Sequence, residues 1–161
     1  MKGKKGITIV LLCSAVVISY LLWPQKIVAP ISNVVEFKKI TLTFGTYSFL
    51  ADVADTETLQ ARGLSGRASL SDSDAMIFVF PKLGNYSFWM KDMLIPIDMV
   101  WLDEKGRVVT IASNVSPETY PKSYTSTTKA QYVVELRANM ANDIGLKVGD
   151  IITFDTKRFE N

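Results

Sequence analysis

Histidine is absent from all 161 residues, and the single cysteine, Cys13, lies in an apolar run near the N-terminus. Each absence removes a class of chemistry. A Cys/His zinc centre has no ligands. A Ser-His-Asp or Cys-His catalytic unit has no base. The chain beyond the apolar run has no thiol, so it has neither a disulfide nor a thiol redox couple. Concentrated positive charge is also missing. The formal charge is +2, but Lys2, Lys4, Lys5 and Lys26 lie in or beside the N-terminal segment, and the remainder carries 14 basic and 16 acidic residues, scattered along it. A nucleic-acid footprint needs a basic stripe, so no nucleic-acid partner is expected. No cofactor and no metal site is expected either.

The chain opens with "MKGKKGITIVLLCSAVVISYLLWPQ", a basic start followed by an uncharged run. As a helix, residues 7–23 would be about 25 Å long at ~1.5 Å per residue, slightly short of a ~30 Å hydrocarbon layer. Snorkelling of Lys5 and interfacial placement of Tyr20 and Trp23 close that gap. Basic residues on the N-terminal flank keep that end in the cytoplasm and send the rest out. The rival is a cleaved signal peptide, giving a secreted protein. The run ends "SYLLWPQKIVAP", without a small-x-small cleavage site. Three regions are expected: a signal-anchor helix over 1–24, a tether over 25–36, and an exported β-rich domain over 37–161.

In that domain apolar residues recur with period two. Ile40, Leu42 and Phe44 share a side, and after Gly45 so do Tyr47, Phe49, Ala51 and Val53. This predicts two strands and a tight turn. "DTETLQARGL" reads as a short helix capped by Asp55 or Thr56 and ended by Gly63. Strands follow at 76–80, 86–90, 97–102, 107–112, 130–136 and 151–154, with a second short helix within "RANMANDIG" and a long polar loop over 113–129. No βαβ repeat is visible, which argues against a parallel sheet. The fold class is therefore mainly β with two short helices, an antiparallel sheet curled into a small barrel or sandwich behind an N-terminal transmembrane helix.

Five blocks stand in order: "ARGLSGR" at 61–67, "AMIFVF" at 75–80, "FWMKDM…IPID" at 88–98, "VVEL" at 133–136 and "GLKVGD" at 145–150. Together they resemble the domain of unknown function 192 family over nearly all of residues 40–154. The resemblance implies a compact β-rich domain, often behind a signal or anchor segment, and brings no established activity. The sequence departs from the family pattern twice. Ala75 stands where glycine is usual, and "WMKNT" reads Trp89-Met90-Lys91-Asp92-Met93, which loses a hydroxyl at Met93.

Asp98 and Glu135 each end an otherwise apolar strand face, where an ionised carboxylate needs a partner or must take up a proton. Arg62, Arg67 and Lys91 are the available cations. A rim cluster of Arg62, Arg67, Trp89, Lys91, Asp98 and Glu135 is expected to line a shallow groove for a small polar ligand or an envelope protein. The structural alternative assigns Arg62 to a helix C-terminus, Asp98 to backbone N–H groups and Glu135 to Arg137. Two enzymatic or metal readings are weaker: a glycosidase pair of Asp98 and Glu135, and Cu(I) bound by Met90, Met93 and Met99. Asn85 and Asn114 head glycosylation acceptor patterns. The expectation is thus a ligand-binding or protein-interaction module of the cell envelope, with a carboxylate-dependent envelope hydrolase and a structural accessory of a membrane complex as alternatives.

Overall fold

The computed structural model describes residues 36–159. The expected signal-anchor and most of the tether lie outside the described residues. Among the described residues no helix is long and apolar enough to cross a membrane.

Among the described residues eight strands form: β1 (Lys39–Phe44), β2 (Tyr47–Ala54), β3 (Asp74–Gly84), β4 (Ser87–Trp89), β5 (Ile97–Leu102), β6 (Val108–Val115), β7 (Ser123–Thr125) and β8 (Ala130–Arg137). Helix α1 (Glu57–Arg62) lies between β2 and β3, and α2 (Met140–Asp143) follows β8. Six strands make one sheet in the order β1-β2-β3-β8-β5-β6, and β4 pairs with β7 in a second, two-stranded sheet.

Local sequence explains the ends of these elements. Gly45 takes φ 57° at the β1–β2 turn, a conformation that costs glycine nothing. Thr56 caps α1 by accepting a hydrogen bond from Leu59 N–H, and Gly63 ends it at φ 50°. Ala75 sits inside β3, buried and paired with Ala51 and Leu136, and makes no left-handed demand on its backbone. Asp92 does adopt φ 57°, which Asp tolerates much as Asn does.

Three expectations are corrected. The sheet is mixed: β2 and β3 are parallel, joined by a crossover through α1. The six-residue helix and the irregular 63–73 stretch supply the dozen or more residues that such a connection needs. There is also no closed barrel among the described residues. The strand expected over 151–154 does not form: the 149–153 strip makes only isolated bridges. Thr43 and Thr153 exchange backbone hydrogen bonds of 2.9 Å on one side. On the other, Ile152 N–H donates to Gly106 at 2.9 Å and Val108 N–H to Asp150 at 2.8 Å. The polar 113–129 loop holds more order than expected: it contains the end of β6, a 3-10 turn at Pro117–Thr119, and β7.

Both faces of the six-stranded sheet are buried, which is why β5 and β8 read as nearly continuous apolar runs. Val100, Leu102, Val134 and Leu136 face one core with Leu42, Ile77 and Met140. Ile97, Met99, Trp101 and Val133 face the other with Leu64, Met76, Phe78 and Met90. Met90, Met93 and Met99 all belong to this second core, where flexible thioethers fill gaps between aromatic rings.

Candidate functional site

The register of β5 against β8 decides the fate of the expected rim cluster. Asp98 pairs with Leu136, and Met99 pairs with Glu135. Directly paired residues share a face. The two carboxylates therefore lie on opposite faces of the sheet, and no single groove holds both. This removes the Asp98–Glu135 pair as two carboxyl groups flanking one bond.

Asp98 is fully buried, and its carboxylate accepts three backbone N–H groups: Asn114 at 2.7 Å, Asn139 at 2.9 Å and Ala141 at 2.8 Å. Those donors come from the end of β6 and the start of α2. Asn114 and Asn139 both hold positive φ, at 51° and 68°. Asp98 thus ties two left-handed turns and a helix start to β5, which is a structural task.

Four of the other five residues behave differently. Arg62, Trp89, Lys91 and Glu135 line one cleft of ≈ 190 Å³ between α1 and β4. Its walls include Phe78, Phe88 and Met93. Gln60 pins α1 to the sheet by donating to the Ala54 and Val79 carbonyls. Ser65 donates to the Lys91 carbonyl, and Gly66 N–H to Asp92. These bonds hold the end of α1 against the turn after β4. The aromatic wall is braced edge to face: Phe78 to Phe88 at 4.7 Å and Phe88 to Trp101 at 5.9 Å. At the mouth, Trp89 is 56% exposed and meets Tyr120 of the 113–129 segment at 6.2 Å.

Glu135 lines this cleft yet is only 5% exposed. On the sheet it stands between Met76 and Met99. Its Oε2 has no hydrogen-bond partner among the described residues. Burial pushes the carboxyl up to about 8, and the nearby Arg67 guanidinium offsets only part of that. The group is therefore neutral at pH 7, with a proton to donate. Arg137, its expected structural partner, instead pairs with Asp72 and with Asp143.

Arg67 does not line the cleft. It pairs with Asp52, a residue that motif spacing did not single out. Asp52 is buried and also takes Lys39 at 2.6 Å. Burial works to raise its pKa, but the hydrogen bonds and charges of Lys39 and Arg67 outweigh it and hold the carboxylate below its ordinary range. Asp52 pairs with Met76, which pairs with Glu135. One row across the sheet thus carries an ionised and a neutral carboxyl, with Arg67 acting on both. A signal for Asp52 was present: it breaks the apolar character of β2 on the face shared with Ala54.

The family model for DUF192, described as "Uncharacterized ACR", matches residues 40–154. The chain belongs to the DUF192 family. The match runs from β1 to the strip that meets both sheet edges and includes every cleft residue. A UPF0127 protein of Thermococcus gammatolerans is 32% identical over 106 residues, 65% of each chain, so this chain spans about two thirds of that relative's length. A crystal structure of a proposed transcription regulator from Sinorhizobium meliloti 1021 has a TM-score of 0.71 at 24% identity, covering 74% of this chain and 96% of that one, and speaks for the fold alone. One of a protein of unknown function from Novosphingobium aromaticivorans has a TM-score of 0.67 at 30% identity, covering 77% and 89%. The DUF192 fold is thus shared with solved relatives over almost their whole length.

Proposed function

We propose that this DUF192 domain is a small-ligand-binding module of the cell envelope, held to the membrane by residues 7–23, with the α1–β4 cleft as its binding site. The observation that carries the reading is Glu135: a buried carboxyl with an unpartnered oxygen, lining an open cleft. Leaving such a group unpaired costs about 1–3 kcal/mol. A ligand that supplies the partner recovers that cost, whereas a purely structural residue would find its partner within the fold.

Ala61 lines the cleft and is exposed on α1, so Ala61→Trp places an indole in the opening. Small organic acids and amides are expected to shift the amide resonances of Leu64, Phe88 and Met93 in the wild-type chain and to leave them unmoved in Ala61→Trp. Equal shifts in both proteins would move the binding site elsewhere.

Support for the anchor comes from the uncharged 7–23 run with lysines on its N-terminal flank only. The full chain is expected to stay with membranes through an alkaline carbonate wash, and a chain lacking residues 1–24 to be released. Release of the full chain by the wash would end the anchor reading.

A further inference from the structure

The cleft has two chemically different ends. Its deep end is the Glu135 carboxyl, buried and with Oε2 unpartnered. Arg62 and Lys91 also line it; both are exposed, and neither has a carboxylate within 4 Å among the described residues. Phe78, Phe88 and Met93 add apolar wall. The volume of ≈ 190 Å³ equals roughly six waters at ~30 Å³ each, and lies below the ~300–1,000 Å³ of drug-sized pockets.

Resting on the ligand-binding reading above, we infer that the cleft selects a small organic monoanion. Its charged group stays at the mouth with Arg62 and Lys91, and an uncharged hydroxyl or carbonyl at its far end meets Glu135. Each part of the ligand answers one feature of the cleft. Two unpaired cations at the mouth favour an anion and oppose an amine. The apolar wall takes a hydrocarbon or aromatic body. A wholly apolar far end would leave the buried carboxyl as unsatisfied as it is in the empty cleft. The charge at that depth is held in check by its surroundings. Arg67 acts on Glu135, Asp52 lies further along the same row and is neutralised by Arg67 and Lys39, and the remaining neighbours on the row are Met76 and Met99. An amine therefore meets a neutral acid at the deep end and like charges at the mouth.

Four probes of one shape separate these contributions: 4-hydroxyphenylacetate, its amide, tyramine and phenylacetate, each titrated into the full chain in detergent at pH 7 with amide resonances as the readout. The hydroxy acid is expected to bind about tenfold more tightly than tyramine, the scale that two exposed charge pairs supply. It should also bind more tightly than phenylacetate, which lacks the polar far end. In the variant Arg62→Gln/Lys91→Gln the preference for the acid over the amide should vanish. Tyramine or the amide binding as well as the acid in the wild-type chain would overturn the ligand class and leave the binding site standing. Silence of the Leu64, Phe88 and Met93 resonances with all four probes would overturn both.

Discussion

Asp98→Ala is expected to remove most of the stability of the domain. Its carboxylate is the acceptor for three backbone N–H groups at 2.7–2.9 Å, and the residue has no exposure to water. Hydrogen bonds to a charged group contribute about 1.5–3 kcal/mol each, and an orphaned buried donor costs a similar amount. Three of them come to roughly 5–9 kcal/mol, against a total of about 5–15 kcal/mol for an ordinary domain. Asp98→Asn is the informative companion. Oδ1 accepts from Asn114 and Asn139, and Oδ2 from Ala141. An amide retains one acceptor oxygen and presents an NH₂ where the other stood. It should therefore lose about 2 kcal/mol, chiefly at the start of α2. Urea denaturation measures both. An Asp98→Ala protein within about 1 kcal/mol of wild type would mean that the three donors find other acceptors.

Glu135→Gln is expected to stabilise the protein, increasingly so as the pH rises from 5 to 8. The carboxyl is pushed from an ordinary 4.5 up to about 8 by burial. Below the ordinary value both folded and unfolded chains hold the proton, and ionisation costs the fold nothing. As pH rises towards 8 the unfolded chain releases its proton while the folded chain keeps it, so stability falls; above 8 the loss is complete. The full shift corresponds to an upper bound of about 5 kcal/mol. Glutamine has nothing to titrate. The two proteins should match near pH 5 and diverge to a few kcal/mol by pH 9, a difference in melting temperature on the order of 10 °C. A gap that stays constant from pH 5 to 9 would show that Glu135 is not buried as a neutral acid.

These two residues also mark how far the sequence could be read. Period-two alternation correctly placed Asp98 with Val100 and Leu102, and Glu135 with Val133. It could not say whether those faces were the same one, because that depends on the β5–β8 register, and a one-residue slip exchanges the faces. Arg62, Trp89, Lys91 and Glu135 were legible as a group because the quoted blocks carry them. Arg67 was drawn in too, but its partner Asp52 was not, since no motif points to a single aspartate inside an apolar strand. The parallel β2–β3 pair was hidden by a six-residue helix, too short to announce a βαβ unit. β7 was hidden by its three-residue length within a polar stretch, where ordering comes from β4 and from Tyr120 against Trp89 rather than from its own periodicity.

The 149–153 strip has a consequence for how copies of this molecule meet. An open sheet ends in unsatisfied amides and carbonyls, a ladder on which another chain can extend itself into fibrils. Here Thr43 on one margin and Gly106 and Val108 on the other already spend their backbone groups on the strip. Crowded neighbours find no free rung at these positions.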